Sequence, residues 1–189
     1  RNIDESLRRM KVDYVDLLQP HSPSFEEAEQ GRLVDALNEI RDSGKTRFIG
    51  VSTNLPDLPA YLQKGGFDAF QISYSALERR HERLIQNAAD SGAGVIVRSG
   101  IALGHRGGGR WDKWEKARLD DLLDGMDRYE FVLRFTLTHP ACHTNIVATA
   151  NLDHFNANLA AAKAGSLPED IYEEAKKRLA RVGEVPADA

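Results

Sequence analysis

A single cysteine, Cys142, stands in the whole chain, so no internal disulfide can form and a disulfide-stapled secreted scaffold is excluded. Long hydrophobic runs are missing too: no apolar stretch approaches the ~20 residues a helix needs to cross a bilayer. Nor does one sign of charge dominate. Against 29 acidic residues stand 25 basic ones, a net charge of -4 with no sustained run of either sign, which argues against a nucleic-acid or anionic-membrane partner. A soluble protein of a reducing compartment, the cytoplasm, is expected. At 189 residues and 41% hydrophobic content the chain can build one good core rather than two. Its opening RNIDESLRRM reads as the end of an amphipathic helix instead of a targeting signal, so it is expected to start in mid-fold.

What the sequence does contain is an alternation. Five short segments rich in β-branched, aliphatic or aromatic residues read as parallel strands buried on both faces: Asp13 to Gln19, Arg47 to Thr53, Ala69 to Tyr74, Gly94 to Arg98 and Thr144 to Thr149. Between the first two, a helix is predicted from a capping box, Ser24 with Glu27, through Leu33, Leu37 and Ile40 to Gly44. Further helices are predicted over Leu58 to Leu62, Arg79 to Asp90, Trp111 to Leu123 and Tyr129 to Thr138. Leu152, Phe155 and Leu159 continue at helical spacing. A last helix is expected from a second capping box, Ser166 with Glu169, with Ile171, Ala175 and Leu179 as its apolar stripe. Strand-helix alternation implies parallel strands in an α/β fold, either an open doubly wound sheet or a barrel.

Polar residues tilt that choice. They gather at the strand ends: His21 and Ser22, Ser52 to Asn54, Gln71 and Tyr74, Arg98 and Ser99, Thr149 and Asn151. In a barrel these ends converge on one rim, where active sites are built. His21, between Pro20 and Pro23, is the best candidate for proton transfer, although a rim histidine that only packs would read the same way. His139, Cys142 and His143 lie close together, but Pro140 breaks their helical spacing and no metal site is expected there. Gly107 to Gly109 lacks the ending of a phosphate-binding P-loop and reads as a flexible lid. Trp111 and Trp114 are expected to pack on the outside of the barrel.

The blocks DYVDLLQPHSP, LVDALNEIRDSGKTRFIGVSTN, FQISYSALER and GVIVRSGIALG, in this order and spacing, resemble successive parts of the aldo-keto reductase family. The resemblance implies an N-terminally truncated (β/α)8 TIM-type barrel, of which this chain would hold strands four to eight. A complete barrel needs about 250 residues, so roughly a hundred would precede Arg1. It further implies an NAD(P)H-dependent oxidoreductase that interconverts aldehydes or ketones and alcohols, with His21 as the histidine of a catalytic Asp-Tyr-Lys-His set. The other three would lie upstream, which would leave this chain an inactive fragment. A non-catalytic NADP(H)-binding regulatory or scaffold protein of the same fold is the alternative. By the same resemblance Ser52, Thr53 and Gln71 would hold the nicotinamide carboxamide, with Thr53 where the family usually has Asn. Arg98 replaces a common aromatic and would turn toward phosphate. Ser99, Gly100 and Ile101 would approach the pyrophosphate, and Thr149, His154 and Asn158 the adenosine end. NADP(H) is the cofactor implied, with NAD(H) not excluded, since Ala148 and His154 stand where Lys and Arg are frequent.

Overall fold

A computed structural model describes residues 3–104 and 110–187 of the chain. Five strands, β1 (Val15–Leu18), β2 (Thr46–Ser52), β3 (Ala69–Ser73), β4 (Gly94–Arg98) and β5 (Thr144–Ile146), pair in sequence order, every pair parallel, and form a curled half-barrel. The expected fold class is thereby met. A helical layer returns the chain between strands: α1 (Ile3–Met10), α2 (Phe25–Gln30), α3 (Leu33–Asp42), α4 (Leu58–Lys64), α5 (Glu82–Asp90), α6 (Trp111–Lys116), α7 (Arg128–Thr138), α8 (Leu152–Ala164) and α9 (Glu169–Arg181). The expected glycine lid, Gly107 to Gly109, lies outside the described residues.

Because neighbouring Cβ atoms alternate along a strand, residues in register share a face. Ile49, Val51, Phe70, Ile72, Val95 and Val97 turn toward the helices and are almost wholly buried, packed with Leu58, Tyr61, Leu77, Leu84 and Ile85. Each such side chain contributes about 1.5–3 kcal/mol of burial, so this convex face is where the half-barrel is held together. The opposite face carries Leu17, Phe48, Ala69 and Ile96 in its lower part and Ser52, Gln71, Ser73 and Arg98 toward the strand ends. It is less covered: Phe48 and Ile146 each remain 47% exposed.

Several sequence expectations change in detail. The single helix expected after β1 is two, because Arg32 adopts a left-handed φ of 49° after Gly31 and restarts the helix at Leu33. Ser24 does cap the first of them: Glu27 N–H donates to its Oγ, and that hydroxyl donates to the Glu27 carboxylate. The charged helix after β4 likewise breaks, at Arg118 (φ 51°), into α6 and a 3-10 turn over Leu119–Leu122. The second capping box does not form. Pro168, with φ fixed near the helical range, begins α9 without a side-chain cap, and Ser166 O accepts from Arg134 instead. Leu152, Phe155 and Leu159 are helical as expected but lie at the surface, 71%, 54% and 43% exposed. Trp114 is fully buried in the helical layer, edge-on to Phe131, and half-buried Trp111 donates to Gly104 O at 2.7 Å.

Gly50 shows how tightly β2 is seated. A Cβ there would lie 2.6 Å from Ala69 O and 3.0 Å from the Gln19 side-chain nitrogen. Gly50→Ala is therefore expected to destabilise the chain by about 1–3 kcal/mol through overpacking against backbone, read as a lower urea midpoint with an unchanged m-value. A midpoint equal to that of the unsubstituted chain would refute the close approach.

Candidate functional site

Parallel pairing carries β1 past Leu18 alongside β2, so that Ser22 N–H donates to Ser52 O (2.8 Å) and Ser52 N–H to Pro20 O (3.0 Å). These bonds fasten the exposed His21 to the end of β2. Ser52 is buried, and its register partner on β3 is Gln71. The Ser52 hydroxyl donates to Gln71 Oε1 (3.3 Å), and Gln71 Nε2 donates to Gln19 Oε1 (3.3 Å). A row of neutral polar groups thus crosses three strands. Gln19 Nε2, at its end, is buried without a hydrogen-bond partner among the described residues.

Beside this row stands a second one. Asn54 accepts from Ser73 N–H (3.1 Å) and donates to Ser73 Oγ (3.3 Å), so its carboxamide is spent on β3. Thr53 is buried, with its N–H on Gln71 O and its hydroxyl on Asn54 O. Neither side chain joins the Ser52–Gln71 pair. Behind them His81, with no exposed surface, donates from Nδ1 to Ser73 O (2.8 Å) and accepts at Nε2 from Leu55 N–H (3.1 Å). That pairing requires the neutral ring, and burial lowers the His81 pKa from 6.5 to about 4.

After β4 the chain turns sharply. Ser99, Ala102 and Leu103 take positive φ values of 61°, 52° and 64°, each costing on the order of 1–3 kcal/mol unless its surroundings impose it. The surroundings are Thr136, whose hydroxyl donates to Gly100 O (2.8 Å), and Trp111 on Gly104 O. Within the turn Ser99 O accepts from Ala102 N–H and Ile101 O from Gly104 N–H. Gly100 is pressed against Asn145: a Cβ would fall 2.4 Å from its amide nitrogen, and both polar atoms of Asn145 are buried without partners among the described residues. Arg98 is half-buried at the strand end beside Ser73, with its Nε likewise buried and unpartnered among those residues. Beyond β5, Thr149 Oγ1 accepts from Asn151 N–H, and Asn151 caps α8 by accepting from Asp153 and His154 N–H. Thr149 and His154 are exposed and Asn158 is half-buried, all three on or just before α8.

The structure therefore gathers His21, Ser52 and Gln71, and sets Arg98, Ser99, Gly100 and Ile101 at the end of β4. Thr149, His154 and Asn158 form a separate group. Tyr74, read from sequence as part of the rim, faces the helices instead. It is fully buried against His139 and Phe135, and its hydroxyl lies 3.4 Å from both Glu82 and the Tyr172 hydroxyl. Burial pushes its pKa well above the phenol range. Glu82 is pulled up by burial, but the Arg79 guanidinium at 2.6 Å outweighs this and holds the carboxyl below its ordinary value. Glu184 accepts from Arg79 N–H and from Lys113, tying the turn after β3 to α6 and the C-terminal tail. The sequence reading missed Gln19, Ser73, His81 and Asn145; a glycine inside an apolar strand, Gly50, was the available signal for the first of them.

Among the described residues no group of three His, Cys, Asp or Glu side chains could hold a metal ion. His139 Nδ1 accepts from Ala141 N–H and His143 Nδ1 from Val95 N–H, while burial pushes the Cys142 thiol up to about 11.

Residues 1–113 match the model of the Aldo/keto reductase family. The chain is 34% identical over 113 residues to L-galactose dehydrogenase of Arabidopsis thaliana, covering 55% of this chain and 35% of that one. It is 23% identical over 188 residues to the uncharacterized oxidoreductase YqkF of Bacillus subtilis, covering 89% of this chain and 61% of that relative. Among solved structures, the aldo-keto reductase AKR11C1 from Bacillus halodurans superposes with a TM-score of 0.81 at 25% identity over 93% of this chain and 66% of its own. An aldo-keto reductase from Klebsiella pneumoniae in complex with NADPH gives 0.73 at 22% identity, covering 100% of this chain and 65% of its own. The chain thus spans just under two thirds of the length of these solved relatives.

The buried neutral His81 gives stability a pH signature. Its folded pKa lies below the unfolded one, so unfolded chains take up the proton first. Its contribution should be complete above about pH 6.5 and fall by on the order of 3 kcal/mol as the pH drops to about 4. His139, also held neutral by burial, adds in the same sense. Unfolding free energies measured across this range should lose most of that slope in His81→Gln; an identical slope would contradict the assignment.

Proposed function

Because the chain belongs to the aldo/keto reductase family, we propose that it forms the C-terminal five strand-helix units of an NADP(H)-dependent carbonyl oxidoreductase whose substrate is a small aldehyde or ketone. The observation that carries this reading is the Ser52–Gln71–Gln19 row lying directly beside the anchored His21. Neutral donors and acceptors held side by side suit an uncharged carboxamide. The residues present fit a nicotinamide dinucleotide in two respects: Gln19 Nε2 and, at the end of β4, the Nε of the Arg98 guanidinium are buried without a hydrogen-bond partner among the described residues.

On this reading Ser52 and Gln71 bind the carboxamide. Thr53 supports them through its backbone bond to Gln71. Arg98 faces the anionic part of the cofactor, and the backbone N–H groups of the turn Ser99, Gly100 and Ile101 approach its phosphate oxygens. Thr149, His154 and Asn158 hold the adenosine end. A bound dihydronicotinamide supplies the hydride. His21 orients the carbonyl oxygen or passes a proton toward it, which its exposed place on the rim permits. The family's Asp, Tyr and Lys would be carried by strand-helix units outside these 189 residues. The half-covered inner face, with Phe48 and Ile146, and the exposed apolar side chains of α8 are the surfaces such units would cover.

Titrating the chain with NADPH, and with NADH for comparison, while following nicotinamide fluorescence should give saturable binding, weakened by Gln71→Ala. No turnover of a test aldehyde is expected from the chain by itself. Absence of binding by either dinucleotide would sink the proposal.

A further inference from the structure

We infer that Gln19 is a positioning residue of the carboxamide site, reaching across β2 over the bare backbone of Gly50 to fix the amide of Gln71. This rests on the function proposed above and adds to it a residue that had been given no role at the site. Strands β1 and β3 are not neighbours; β2 lies between them, so their backbones stand about 10 Å apart. Two glutamines can still meet across that distance if the strand between them presents nothing, and Gly50 presents nothing. A Cβ at Gly50 would come within 3.0 Å of Gln19 Nε2 and 3.2 Å of Gln19 Cγ, which places the Gln19 side chain flat over that glycine. At the far end Gln19 Oε1 accepts from Gln71 Nε2 at 3.3 Å.

The bond sets an orientation. Gln71 gives one N–H to Gln19 and takes one hydrogen at Oε1 from Ser52, so its remaining N–H and remaining lone pair are held as a donor-acceptor pair in one plane. That is the complement of a primary carboxamide. Gln19 Nε2 adds a further donor, buried and without a partner among the described residues. A purely structural network would be closed, as the Asn54–Ser73–His81 row is, because an unpaired buried amide costs free energy. The row ending on Gln19 is open, and a ligand oxygen closes it.

The test compares the chain with Gln19→Met, a side chain of similar length that lacks the amide. Three ligands are titrated: NADP+, its 3-acetylpyridine analogue, in which the carboxamide NH2 is a methyl group, and 2′-phospho-ADP-ribose, which lacks the ring altogether. Gln19→Met should weaken NADP+ about three- to tenfold, the loss of one oriented hydrogen-bonding group, and leave 2′-phospho-ADP-ribose unchanged. It should also abolish the preference for NADP+ over the acetyl analogue. Gln19→Glu, which keeps an acceptor toward Gln71, should restore part of that preference. Equal weakening of all three ligands would show a structural role only, and an unchanged NADP+ to acetyl-analogue ratio would show no role; either overturns the inference. If the unsubstituted chain binds none of the three, the functional reading itself fails. In the ligand-free protein, the Gln71 side-chain NH2 resonances should shift in Gln19→Met, and their constancy would overturn the contact independently of any ligand.

Discussion

The parallel register of β2 against β3 is the constraint on which the rest of the site depends. It sets Gly50 opposite Ala69 and Ser52 opposite Gln71, and it sends Val51 and Phe70 together into the helical layer. Because side chains alternate, a slip of one residue would exchange the two faces, putting valine where serine meets glutamine and polar groups where the core is packed. The buried convex face is what forbids that slip. Hydrophobic burial behind the sheet thus holds the polar geometry in front of it.

The polar interior is divided by role. Behind β3, Tyr74, Arg79, Glu82, Tyr172 and Glu184 form a paired network that fastens the turn after the strand to the last helix and the tail. Its charges face one another and its tyrosine hydroxyls are held neutral by burial, so it has little to offer a ligand. In front, Gln19 and Arg98 keep buried nitrogen atoms unpaired among the described residues. A closed network stabilises, whereas an unpaired buried polar atom costs free energy that a bound ligand can offset.

Much of this was legible in the residues alone. All five strands and the order of helices follow from short apolar runs alternating with amphipathic spacing, and His21, Ser52 and Gln71 stand at positions a strand-end argument reaches. What was hidden depended on contacts between segments distant in sequence. Tyr74 reads as one more polar strand end, yet parity turns it to the helices, because Ser73 takes the inward position. Gln19 reads as the last residue of a strand, two before a histidine, and acquires meaning only when Gly50, on the next strand, is seen to clear its path. The breaks at Arg32 and Arg118 were equally hidden, since left-handed backbone at a non-glycine residue is imposed by packing rather than by local preference.

By itself, then, the sequence determined the kind of layers, their alternation and the chemistry available at the strand ends, because hydrophobic period and residue type are local properties. Tertiary structure alone decided which polar groups meet: Ser52 with Gln71, Gln71 with Gln19 across Gly50, Asn54 with Ser73 rather than with a ligand. Those pairings are fixed by the register and curl of the sheet, which arise only when the buried faces of all five strands are packed together.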